Sequence, residues 1–126
     1  MQRVFQTEKN KADSVYNDSI KTTQVEAKFK NGSQDWVEYI QKNLTTPDRL
    51  INVLGTGKHE ATVVFMVSEE GNIDPDIYLI KSVEWSGDRE IFRLIQNSPP
   101  WKPAMQDSRP VFYRQKQTLT FQVAQG

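Results

Sequence analysis

The sequence contains no cysteine and a single histidine among its 126 residues. Without cysteine there can be no disulfide, no thiolate metal site and no cysteine nucleophile. His59 comes at the start of an expected strand, with no serine or carboxylate at a catalytic spacing, and this favours a structural role over that of a general base. The sequence therefore predicts a protein that is not an enzyme and that uses no metal or other cofactor.

Net charge and long apolar runs are also missing. Sixteen lysine and arginine residues balance sixteen aspartate and glutamate residues. No overall field therefore favours nucleic acid or anionic lipid, and we predict no nucleic-acid partner. No stretch approaches the roughly 20 apolar residues of a membrane span, and the N-terminus has no signal-peptide core. If the protein acts outside the cytoplasm, we expect this chain to be a fragment or a processed form.

The apolar residues that are present are unevenly distributed. Nearly all the large ones fall between residues 36 and 123, whereas residues 1–24 are mostly polar and follow no sustained period. This contrast predicts a flexible linker or loosely held arm over 1–24 and one folded domain over 25–126. The alternating run Val25–Phe29 allows a short strand. Whether the arm folds back onto the domain stays open.

Apolar spacing predicts two main helices with a short one after the first. The first follows a turn and is expected to be capped by Ser33. Residues 46–55 run from a capping threonine and a proline to a glycine, which predicts a short second helix. The stripe over 91–95 predicts another main helix, which the proline pair at 99–100 must end.

Three runs have strand composition. Ala61–Val67 and Ile73–Val83 flank a turn in which Gly71 should supply a positive φ, and Val111–Val123 forms the third run. The element order is thus helix, strand, strand, helix, strand. It predicts an α+β fold: a three-stranded antiparallel sheet with two main helices on one face.

The last strand carries the main functional clue. Residues 119–123 alternate and should matter for folding, but the centre of the strand, 114–118, is wholly polar. A strand buried on both faces could not tolerate this centre, so we predict one wet face and a position at a sheet edge. An exposed edge strand can pair with an extended peptide. The charged residues of this strand would equally suit an edge that is protected from pairing.

Several segments, in their order and spacing, resemble the TonB C-terminal domain family, in the variant with a Phe-x-x-Gly turn and a Trp-Lys-Pro crossover. The chain departs from the family pattern at Thr46, where a tyrosine is usual, and at Ala104, where a glycine is usual. The matching segments are Phe29–Gly32 with Trp36–Leu44, Val63–Val67 with Glu70–Ile73, Leu79–Ser82, and Ser98–Ala104 with Arg109–Val111.

The resemblance implies a periplasmic adaptor, tethered to the inner membrane by a segment outside this chain. In the family, the domain captures the TonB box peptide of outer-membrane transporters as an added strand and transmits energy from an inner-membrane motor complex. The candidate peptide-binding residues are Val111, Phe112, Tyr113, Arg114, Gln115, Lys116, Gln117 and Thr118 on the last strand, with Leu44, Thr46 and Pro47 as a second patch.

Two other functions remain open. The chain could be the TonB-like periplasmic sensory or accessory domain of a larger membrane protein, for which several spans upstream would be expected. It could also be an envelope module that binds peptidoglycan or associates with itself through the same edge, as a weak homodimer.

Overall fold

The computed structural model describes residues 2–9, 13–14 and 24–125 and has an α+β fold, as the sequence predicts. Three helices are formed: α1 (Ser33–Asn43), α2 (Asp48–Leu54) and α3 (Trp85–Gln96). The strands are β1 (Gln2–Lys9), β2 (Asp13–Ser14), β3 (Gln24–Val25), β4 (Gly57–Val67), β5 (Tyr78–Lys81), β6 (Ala104–Gln106), β7 (Arg109–Val111) and β8 (Tyr113–Val123).

The main sheet has the order β1-β8-β4-β5, with β2 also paired to β8. β4 and β8 are antiparallel partners over their whole length, from Gly57 opposite Val123 to Val67 opposite Tyr113. β5 is antiparallel to β4 on its other side. The predicted three-stranded antiparallel sheet is therefore present as β8-β4-β5, and the sequence did not predict β1 and β2.

A second, smaller sheet has the order β3-β6-β7. Only Val25 of the expected strand Val25–Phe29 belongs to it, opposite Met105. Farther on, Lys28 and Lys102 form an isolated bridge through two backbone hydrogen bonds of 3.0 and 2.8 Å. This small sheet thus attaches the start of the domain to the crossover that leads to β8.

One apolar core joins the sheet to all three helices. Alternate residues of β4 are buried because side chains of a strand point to opposite faces in turn. An aromatic cluster closes one end of this core, with the rings of Trp36 and Trp101 5.1 Å apart and Phe29 within 5.6 Å of both. Trp36 and Trp101 are both buried, at 3% and 5% exposed.

The helix ends differ in detail from the sequence-based expectations. The N-cap of α1 is Gly32, so the prediction of Ser33 as the cap is wrong, and Pro47 caps α2 just before its first residue. The cap of α3 is the side chain of Glu84, which accepts hydrogen bonds from the N–H groups of Ser86 and Gly87 at 3.1 and 3.0 Å. Glutamate is not among the preferred capping residues, which is why the sequence did not indicate it.

The strand predictions were accurate in type but not in length, since β4 begins at Gly57 rather than at Ala61, whereas the second predicted strand is shorter than expected. Of the run Ile73–Val83, only β5 is a strand, and Ile73 makes an isolated bridge with Val67. Gly71 does have a positive φ, of 88°. A Cβ there would come 2.0 Å from the carbonyl oxygen of Trp101, so only glycine allows this turn to reach the crossover.

None of the helices in the described part of the chain is both long enough and apolar enough to span a bilayer.

Candidate peptide-binding edge

The polar centre of β8 is not a wet surface. Tyr113, Gln115 and Gln117 are at most 2% exposed and lie on the same side of the strand as the apolar residues 119–123. The face of β8 that meets the helices is therefore buried even at its polar positions. Glutamine can be buried if its amide finds partners, and composition alone does not reveal whether it does.

Gln117 has such a partner in α1. The indole Nε1–H of Trp36 donates a hydrogen bond of 3.1 Å to its side-chain oxygen, across 81 positions of sequence. Both residues line a small cavity of about 140 Å³ that reaches Trp101 and the turn at Gly32. The bond satisfies a buried indole and fixes α1 over this part of the sheet.

Gln115 is fully buried, and neither its Oε1 nor its Nε2 atom hydrogen-bonds within the described structure. It lies opposite Phe65 of β4 and one strand period before Gln117. A buried amide without partners costs about 1–3 kcal/mol. Gln115 therefore destabilises the core of β8 relative to an apolar residue of similar shape.

The opposite face of β8 is partly covered by neighbouring strands. Arg114 donates a hydrogen bond of 3.2 Å to the Tyr78 hydroxyl of β5, and the hydroxyls of Thr118 and Thr62 are 3.1 Å apart. Lys116 is half-buried between them. This face therefore carries polar groups, but most of them contact other residues.

The second backbone edge of β8 is occupied by the chain itself. β1 runs antiparallel to it, from Gln2 opposite Val123 to Lys9 opposite Gln117, with one irregularity after Val4. β2 continues the coverage at the other end, with Asp13 opposite Arg114. The interpretation of β8 as a free sheet edge is therefore wrong, because part of the segment expected to be a linker forms the outer strand.

β1 also contacts the helical layer, where α1 lies against it. The covering strand is thus attached on two sides, by the hydrogen-bonded ladder of β8 and by a helix. The prediction of a loosely held arm over 1–24 did not include this strand. The other positions of that predicted arm, apart from β2 and Gln24, fall outside the described residues.

The remaining predicted binding residues fall in different environments. Val111 ends β7 and is 8% exposed, whereas Phe112 follows it with 38% of its surface exposed. In the second patch, Leu44 is buried in the core, and Thr46 and Pro47 are half-buried. Thr46 and Pro47 are therefore the members of that patch that a partner could reach.

An exposed tryptophan lies next to Pro47. Trp85, the first residue of α3, is 60% exposed. The guanidinium of Arg89 lies 5.0 Å from its ring centre, and that of Arg49 lies 5.8 Å away. The spacing of Trp85 and Arg89 by four positions on a predicted helix could have indicated this pair, whereas the approach of Arg49 from α2 could not have been foreseen.

Two carboxylates near Trp85 are paired with arginines, Glu84 with Arg49 and Glu90 with Arg93. Burial alone would raise the pKa of Glu84, but hydrogen bonds from Ser86 and Gly87 and the charge of Arg49 outweigh it, so the pKa is lowered. Burial likewise opposes ionisation of Glu90, yet bonds from Arg93 and from the N–H of Thr45 lower its pKa. Both glutamates are therefore ionised at neutral pH.

The described residues contain no group of three histidine, aspartate or glutamate side chains that could hold a metal ion. His59 lies with its Nε2 atom 2.8 Å from the carbonyl oxygen of Gly55, in a contact between the end of α2 and β4. This contact accounts for the histidine as a structural residue.

Comparison with known proteins adds no relative to this picture. The chain matches no protein-family model, and neither the curated proteins nor the solved structures include a significant match.

Proposed function

We propose that this protein is a periplasmic peptide-binding adaptor, which captures the TonB box of outer-membrane transporters by adding it as a strand to β8. In this proposal the domain is tethered to the inner membrane and transmits energy from a motor complex there. The sequence resemblance supports the class of partner, and the geometry of β8 supports the way in which the partner binds.

The observation that carries the proposal is the pairing of β1 with β8. A largely polar segment of eight residues lies along β8 in antiparallel register, although no strand pattern in its sequence predicts one. Pairing of this kind depends on backbone N–H and C=O groups, and every residue except proline provides both. The outer side of β8 therefore accepts an extended segment, and β1 occupies the place that we assign to the partner.

This arrangement makes β1 a competitor of the partner. Each backbone hydrogen bond contributes about 0.5–1.5 kcal/mol net, so a peptide of similar length gains about as much from β8 as β1 does. Because β1 belongs to the same chain, its effective concentration at the edge is high. A partner must therefore replace β1, and the apparent affinity is reduced by the fraction of molecules in which the edge is covered.

The test is a titration of the isotopically labelled full chain with a TonB-box-like peptide, in the wild type and in the double variant Thr7→Pro/Glu8→Pro. N–H groups of a strand alternate between its two sides, so one of these prolines removes a donor from the ladder with β8. We expect the variant to bind the peptide roughly tenfold more tightly, with micromolar affinity, about 8 kcal/mol. Amide shifts should concentrate on β8.

The matched control is Thr7→Ala/Glu8→Ala, which keeps both N–H groups and should bind like the wild type. If the folded proline variant binds no peptide, or binds it with shifts away from β8, strand addition at this edge is wrong.

One observation also favours a second candidate, self-association. Among the described strands, β1 pairs only with β8. A terminal strand of this kind can exchange between two copies of a chain. A dimer formed in this way would appear in sedimentation velocity as a species that grows with concentration and that the double proline variant abolishes.

A further inference from the structure

A groove between α2 and α3 is a second surface feature, which we call the α2–α3 groove. Its side chains, rather than backbone groups as at β8, could contact a ligand. The groove has a volume of about 340 Å³ and is lined by Pro47, Trp85, Ser86, Arg89, Glu90 and Arg93. That volume falls at the lower end of the range of about 300–1,000 Å³ that is usual for ligand sites. The groove runs beside the first turns of α3, with the proline that caps α2 on its other side.

The charged side chains in and beside the groove differ in exposure, with the carboxylates largely buried and the guanidiniums exposed. The Glu84 side chain is 6% exposed, whereas its ion-pair partner Arg49 is 62% exposed. The Glu90 side chain is 11% exposed, whereas its partner Arg93 is 49% exposed. The carboxylates thus face the protein and the guanidiniums face solvent, so the surface is positive even though the pairs are neutral in sum.

Arg89 adds a further positive charge to the groove. None of the described carboxylates forms an ion pair with it, and its contact is with the face of Trp85. Two guanidinium groups lie within about 6 Å of the centre of the Trp85 indole ring, a distance at which cation–π attraction stabilises the ring, although more than half of this residue is exposed. Tryptophan and arginine are among the residues that contribute most to the energy of binding interfaces.

We propose that the α2–α3 groove binds an acidic peptide segment, which places an apolar side chain on Trp85 and a carboxylate on Arg89, since Arg93 already donates to Glu90 and to the carbonyl of Asn43. Arginine suits this role because its planar donors can hold a carboxylate at two points. The half-buried Pro47 provides the apolar wall. This surface does not depend on strand addition at β8, and a partner could use either one alone.

Trp85 itself is the reporter for the test. Since Trp36 and Trp101 are at most 5% exposed, a change of fluorescence on adding peptide reports mainly on Trp85. The probe is a capped octapeptide that alternates glutamate and leucine, titrated into the full chain. We expect a saturable blue shift, and about tenfold weaker binding when glutamine replaces glutamate in the peptide, because the charge is lost.

Arg89→Glu should weaken binding of the acidic peptide about tenfold or more, because repulsion replaces attraction. The matched control is Arg109→Glu, which makes the same change at an exposed arginine of β7 and should alter affinity less than about twofold. Circular dichroism of both variants verifies that they are folded.

Any one of four outcomes would overturn the proposal. The fluorescence of Trp85 could stay unchanged at millimolar peptide, the glutamine peptide could bind as tightly as the glutamate peptide, or Arg109→Glu could weaken binding as much as Arg89→Glu. A single-stranded oligonucleotide that binds more tightly than the acidic peptide would also overturn it, in favour of a general polyanion surface.

Discussion

The outer sides of β8 and β5 are the two places where the three-stranded core of the sheet could accept another strand. β8 is eleven residues long and pairs with β4 in unbroken register. β5 is four residues long and has a bulge where Ile80 has no partner, and its last residue, Lys81, forms an exposed ion pair with Glu60. Short length, a bulge and lysine are the features by which proteins protect a sheet edge.

The difference teaches that one edge is protected by its own geometry and the other by a separate segment. Nothing in β5 has to move for that edge to stay unpaired. At β8, by contrast, the long regular ladder needs β1 and β2 as a cover. A cover that lies outside the core can be exchanged, whereas a bulge cannot, and this is why we assign the partner to β8.

The largest expected effect is the difference between β8 and β5 in how much their leucine side chains contribute to the stability of the core. Leu119→Ala in β8 should lower the free energy of unfolding by about 3 kcal/mol or more, because the side chain is fully buried. The half-buried Leu79→Ala in β5 should cost only about 1 kcal/mol. Urea denaturation of both variants measures the difference, and equal losses would contradict the comparison.

A smaller effect tests whether β8 offers its edge through backbone groups alone. Gln115→Met removes the unpartnered amide and should raise stability by about 1–2 kcal/mol. The matched change Gln117→Met takes away the acceptor of the Trp36 indole and should lower stability by about 1 kcal/mol. Denaturation curves give both values. Peptide affinity should stay the same in Gln115→Met, and a loss there would mean that the side chain takes part.

The smallest effect concerns the segment between β5 and α3. Glu84→Ala removes the side-chain cap and should cost about 1 kcal/mol at neutral pH. Since the pKa of Glu84 is lowered in the folded protein, its ionised form stabilises the fold above the pKa that the residue has in the unfolded chain. This contribution disappears as pH falls through the folded pKa.

The difference in unfolding free energy between wild type and Glu84→Ala should therefore be constant near neutral pH and shrink in acid. Denaturation at a series of pH values measures it, with the exposed Glu38→Ala in α1 as the control. A difference that is the same at pH values on both sides of the unfolded pKa would contradict the assigned role.

Most of the core elements could be predicted from local pattern. The helical stripe over 91–95 and the β-branched run Ala61–Val67 identify α3 and β4, and Gly71 marks the turn, since period and turn chemistry are properties of neighbouring residues. The antiparallel order of the three core strands follows from chain connectivity and did not need long-range information.

The edge could not be predicted in the same way. β1 consists mostly of polar residues, so its pairing depends on a partner more than a hundred positions away rather than on its own periodicity. Burial of Gln117 depends likewise on Trp36 in α1, and the binding groove on the approach of Arg49 to Trp85. In each case the decisive contact joins distant parts of the chain, which a single sequence does not reveal.

The pairing of Gln2 with Val123 has a mechanical consequence. The first and last strands of the chain begin and end at the same end of the sheet. Opposed forces on these two residues would therefore open the β1–β8 ladder like a zipper, one pair at a time. The same bonds would resist together if the pull came along the strands, from Lys9 against Val123. The direction of tension thus decides how easily the cover leaves β8.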